Sequence, residues 1–135
     1  MSSPKASYSG SDPYVVVSYA HADLSVVSAD LRFLQDEGCN VWYDEGIGAG
    51  LSWRDEVALA ISECSLFVIF LTRNSISSEV CRQELFLALS RERRVLVVYL
   101  EDCQLSPGME LGLSDKQAIL KYQLEEREYR RKLLQ

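Results

Sequence analysis

Glu84 is a carboxylate set in an apolar row. On a helix over 78–91 its neighbours at i−4, i−3, i+3 and i+4 are Val80, Cys81, Leu87 and Ala88. Two readings stand for such a residue. It is either a functional group held at a pocket wall, where its surroundings tune it, or a boundary residue facing solvent, because charged side chains are seldom fully buried without a partner. Arg73 and Arg82 are the candidate partners. Other chemistries are poorly provided for. His21 is the only imidazole, in "SYAHAD", and no serine sits in a G-x-S-x-G elbow, so a nucleophilic triad is not expected and His21 reads as solvated or capping. A P-loop of the form G-x-x-x-x-G-K-[ST] is absent. Cys39, Cys64, Cys81 and Cys103 are scattered with no C-x-x-C pair, which leaves no cluster for zinc.

The glycines of "VWYDEGIGAGLSW" raise a different possibility. A dinucleotide fingerprint G-x-G-x-x-G begun at Gly46 and Gly48 requires glycine at position 51, where Leu51 stands. That fingerprint also belongs after the first strand of a βαβ unit, and this segment follows the second. The simpler reading is a connection whose glycines permit positive φ.

The elements that position these residues alternate along the chain. "YVVVSY" (14–19), "CNVWYD" (39–44), "SLFVIFL" (65–71), "RVLVVYL" (94–100) and "QAILKY" (117–122) read as strands. Between them, helical spacing is found over 24–38, with Leu24, Val27, Leu31 and Leu34 on one face and Gly38 as a stop. Further helices are expected over 53–63, 78–91 and 124–135, and "LSPGMELGLSD" reads as turn-rich. The strands are nearly continuous in apolar residues rather than alternating, which predicts burial on both faces and five parallel strands with helices on either side. Ligands of such sheets bind beyond the carboxyl ends of the strands. Those ends carry Ser18 and Tyr19; Trp42, Tyr43 and Asp44; Thr72, Arg73 and Asn74; and Glu101 and Asp102.

With 135 residues and 47% apolar content, one globular domain is expected. Residues 1–12 read as an unfolded lead-in, rich in Ser, Gly and Pro, and 13–135 as the domain. A net charge of −6 argues against nucleic acid or an anionic membrane as a main partner. The amino terminus lacks the apolar segment of a signal peptide, and the longest apolar runs are too short to span a bilayer. Unclustered cysteines suit free thiols in a reducing compartment, so a cytoplasmic location is expected. The last helix runs uncapped to Gln135, which suggests a module joined to further chain.

Four segments in order, "VVVSYAHAD", "GCNVWYDEGIGAGLSWRDEV", "ECSLFVIFLTRNSISSEVCRQEL" and "LSDKQAILKY", resemble the Toll/interleukin-1 receptor (TIR) domain over roughly residues 13–135, in the style of prokaryotic-type enzymatic members. The resemblance implies a flavodoxin-like α/β fold and one of two activities. Many TIR domains cleave the nicotinamide–ribose bond of NAD+, giving ADP-ribose or a cyclic product; others are non-catalytic scaffolds for homotypic assembly. In the enzymatic members a glutamate on the third helix is catalytic, and the matching residue is Glu84. Val80 stands where a tryptophan is frequent, and Ala20 where an arginine can occur. The same resemblance implies a substrate pocket built from Ser18, Tyr19, Trp42 and Asp44, with Gly50, Trp53 and Val80 beside them. It makes the glycine segment a mobile loop for self-association, with Gly46, Ile47, Gly48 and Leu51 as its contact residues. NAD+ would be a substrate, with no cofactor or metal required. The partners implied are other TIR domains in an oligomer or filament and a linked sensor domain, in defence or cell-death signalling.

Overall fold

The computed structural model describes residue 4 and residues 7–43 and 51–134, with backbone alone over 51–54. Five short strands form one parallel sheet: β1 (Val15–Ser18), β2 (Val41–Tyr43), β3 (Leu66–Leu71), β4 (Val95–Tyr99) and β5 (Gln117–Leu120). Their order is β2-β1-β3-β4-β5. In register, Val15 is opposite both Val41 and Leu66, Phe67 opposite Val95, and Leu96 opposite Gln117.

Alternation along the central strands divides the core into two layers. From β3, Phe67, Ile69 and Leu71 point to one face, together with Val57 and Ile61 of α2 (Leu51–Glu63), Leu85 and Ala88 of α4 (Glu79–Ser90) and Met109 of α5 (Pro107–Leu113). Val68 and Phe70 point to the other, against Val27, Leu31 and Leu34 of α1 (Leu24–Asp36) and Tyr129 and Leu133 of α6 (Glu126–Leu133). Both faces of β1, β3 and β4 are covered, which is why their sequences lack a polar period, whereas the edge strand β5 buries only Ile119, against the expectation of burial on both faces. The flavodoxin-like three-layer arrangement is the one expected from the sequence.

Three local features differ from the sequence reading. The stretch read as turn-rich contains α5, whose start carries Ser106 as N-cap, its side chain accepting from the Met109 amide at 3.5 Å, followed by Pro107 in the first turn. Gly108 and Gly112 hid this short helix among turn signals. A one-turn helix, α3 (Arg73–Ile76), follows β3 directly, closed by a capping box between Thr72 and Ser75. Ser7 and Tyr8, read as part of an unfolded lead-in, lie against β2: the Tyr8 amide donates to the Val41 carbonyl at 2.9 Å and the Tyr43 amide donates to Ser7 Oγ at 2.9 Å.

The strand order sets the position of the site. The chain leaves β1 toward the α1 face and leaves β3 toward the α4 face, so their adjacent carboxyl ends part and open a crevice.

Candidate active site

Ser18 ends β1 at that crevice and is buried. Helix α4 begins beside it. Its N-cap is Ser78, whose side chain accepts from the Cys81 amide at 3.2 Å. This start fixes Glu84 in the second turn, half-buried, facing β1. Ser18 Oγ donates to Glu84 Oε1 at 2.7 Å, a charge-assisted length for a hydroxyl on a carboxylate.

A cavity of about 220 Å³ opens at this pair, with Ser18, Tyr19, Ala20 and His21 on one side, Trp42 and Ile61 across it, and Ser78, Val80, Cys81 and Glu84 from α4. A second cavity of about 160 Å³ adjoins it between α2 and α4 and shares Val57, Ile61, Val80 and Glu84. Glu84 therefore stands where the two meet. Of the two readings of its apolar row, the pocket wall is the one the structure supports. Ser18 is its hydrogen-bond partner here; of the two arginines considered, Arg73 pairs with Glu101 at 3.9 Å, and Arg82 makes no ion pair among the described residues.

Tyr19, Trp42, Val80 and Ser18 line the cavity. Asp44, Gly46, Ile47, Gly48 and Gly50 lie outside the described residues. Trp53 falls within α2 with its side chain undescribed, and Leu51, read as part of the loop, is the first residue of α2. Val80 is 46% exposed on this wall.

Several residues that sequence reasoning missed shape the site. Cys81 is buried in its wall, and burial first, then the charge of Glu84, pushes its thiol upward, which keeps it protonated and unsuited to nucleophilic attack. The His21 ring lies 5.8 Å from that of Tyr19 and lines the cavity. Behind them Asp23, buried, accepts from Thr72 Oγ1 at 2.6 Å and from Asn74 Nδ2 at 2.8 Å, locking the turn after β1 to the end of β3. Short polar residues at strand ends have no period, so the sequence offers no signal for this network beyond their position. Among the described residues no group of three His, Cys, Asp or Glu side chains is placed to hold a metal.

The chain belongs to the TIR domain family, whose model matches residues 15–134. Among solved structures it is similar to the TIR domain of the Toll-related receptor TRR-2 from Hydra magnipapillata, at 16% identity over 89% of this chain and 94% of that one, with a TM-score of 0.71. It is also similar to the TIR domains of the activated Roq1 resistosome that directly recognises the pathogen effector XopQ, at 18% identity over 91% and 98%, with a TM-score of 0.74. A third is the CMP N-glycosidase BcmB of Clostridium botulinum, at 18% identity over 90% and 99%, with a TM-score of 0.62. At these identities the likeness is one of fold. No curated protein sequence matches this one.

Proposed function

We propose that this domain is an NAD+ nucleosidase in which Glu84 is the catalytic carboxylate. The observation that carries the reading is the single carboxylate of the described cavity lining, held by Ser18 at the crevice between β1 and β3. Ordinary sugar hydrolysis uses two carboxyl groups, one of them an acid for the leaving oxygen. NAD+ needs no such acid. As the bond between ribose C1′ and the pyridinium nitrogen breaks, its electron pair returns to the ring and nicotinamide departs neutral. The remaining task is to stabilise an oxocarbenium-like ribose, which one oriented carboxylate performs by charge and by accepting from the ribose hydroxyls. Water capture gives ADP-ribose and releases one proton; capture by the substrate's own adenine gives a cyclic product.

The cavity volume fits this division of labour. About 220 Å³ is below the roughly 300–1,000 Å³ usual for small-molecule sites, so it suits one end of a dinucleotide rather than the whole. Tyr19 and Trp42 offer rings for the nicotinamide. The neighbour that acts on CMP supports an N-glycosidase reading more broadly. A neutral pyrimidine leaves as an anion unless protonated, whereas a cationic pyridinium leaves neutral, so NAD+ asks less of the site than CMP does.

Incubation of the concentrated protein with NAD+ and, separately, with CMP, followed by chromatography of the products, tests the reading. Nicotinamide release from NAD+ with ADP-ribose or its cyclic form is expected. Cytosine release from CMP alone would assign a different substrate, and no product from either would leave the scaffold role.

A further inference from the structure

A larger cavity lies at the opposite edge of the sheet. It occupies about 370 Å³ and opens where β1, β3, β4 and β5 begin, at Val15, Leu66, Val95 and Gln117. Its floor is apolar, with Leu34 and Leu133 closing it from the ends of α1 and α6. Its rim carries Arg94, Lys116 and Lys132 against one carboxylate, Asp115, which is 3.7 Å from Lys116. Among the described residues, neither Arg94 nor Lys132 makes an ion pair. In a chain with 20 acidic and 14 basic residues, two cations at one cavity mouth with no carboxylate partner among the described residues are a local reversal of sign. Basic residues also collect where helices end, because the carbonyl end of the dipole favours them, and Lys132 is in the last turn of α6. Arg94 and Lys116 lie outside the helices, so that explanation does not extend to them.

We propose that this cavity binds a small amphipathic anion, a medium-length acyl chain ending in a carboxylate. The volume is within the range of ligand sites. An apolar floor of Val15, Leu66, Val95 and Leu133 takes the hydrocarbon, and Arg94 and Lys132 take the head. A nucleotide fits less well, since the floor offers no aromatic ring to stack on a base.

Cys39 lines this cavity and Cys103 does not, which provides a probe and an internal reference in the same molecule. Burial raises both thiols, aided by Glu37 at Cys39 and by Glu101 and Asp102 at Cys103, so alkylation by N-ethylmaleimide is followed at mildly alkaline pH by peptide mass spectrometry. Decanoate below its micellar concentration should slow labelling of Cys39 and leave Cys103 unchanged, with decanol and decyltrimethylammonium protecting less. In the double variant Arg94→Ala, Lys132→Ala, protection by decanoate should weaken by about 2- to 30-fold, as two screened ion pairs would give, and protection by decanol should not change. A melt of the variant with unaltered cooperativity secures the comparison. No protection of Cys39, equal protection of Cys103, or equal protection by decanol would overturn the proposal. So would a variant that melts lower yet binds decanoate like the parent, because the cations would then serve only the helix ends.

Discussion

Ser18 and Glu84 are 66 positions apart in sequence and 2.7 Å apart in space. A hydroxyl on a carboxylate restricts which oxygen faces the substrate, and a hydrogen bond to a charged group is worth about 1.5–3 kcal/mol. If Ser18 orients Glu84, Ser18→Ala should lower kcat for NAD+ cleavage by about 10- to 150-fold while KM changes little. Steady-state kinetics beside a thermal melt checks this; loss of KM alone would make Ser18 a substrate-binding residue. The sequence puts Ser18 at a strand end and Glu84 on the helix over 78–91. It could not pair them, because the contact depends on where Ser78 caps α4 relative to the end of β1, which no periodicity encodes. Charge points to Arg73 and Arg82 as partners of Glu84, whereas the neutral hydroxyl of Ser18 is what the end of β1 brings to the carboxylate.

At the scale of elements, the turn after β1 and the end of β3 are fastened by Thr72, which both caps α3 and donates to buried Asp23. Thr72→Ala removes a cap and one bond of Asp23, a loss of about 1–3 kcal/mol, and should lower Tm by roughly 3–10 °C. Calorimetry measures it, and an unchanged Tm would mean that the network is dispensable. The second buried carboxylate has a different role. Asp30 of α1 accepts from Lys121 Nζ at 3.0 Å, and that ammonium lies 4.6 Å from the centre of the Tyr129 ring. Desolvation raises the Asp30 carboxyl above its ordinary value, outweighing Lys121. A raised folded-state value means that Asp30 contributes its stability below the unfolded carboxylate value and loses it as pH climbs through the folded one. Asp30→Asn should therefore flatten the decline of stability with rising pH just above the usual carboxylate range. Denaturant melts of both proteins across that interval test it, and parallel profiles would contradict it. The strands and long helices were legible because their apolar periods are dictated by the two-faced sheet. α3 and α5 were not, because a helix of one or two turns is specified by its caps, and Ser106-Pro107 resembles a turn until its backbone is seen.

For the whole molecule, the question is whether one chain completes the site. No helix of the described residues is long and apolar enough to cross a membrane. Leu59 is 60% exposed on α2 and Val80 46% exposed at the cavity mouth, apolar surface open to a second copy if one binds. A net charge of −6 opposes close approach, so moderate salt should favour association. If association completes the pocket, activity per molecule rises with protein concentration, because the competent state is populated only in the assembly. A dilution series with light scattering measures both, and flat activity from a monomer would show a site complete within one chain.

The central claim is that the charge of Glu84 breaks the nicotinamide–ribose bond. Glu84→Gln keeps the size of the side chain and an acceptor for Ser18 while removing that charge. Nicotinamide release from NAD+ should fall by about 10²–10³-fold with Tm near that of the parent. A folded Glu84→Gln protein that turns over NAD+ at the parent's rate would contradict the account.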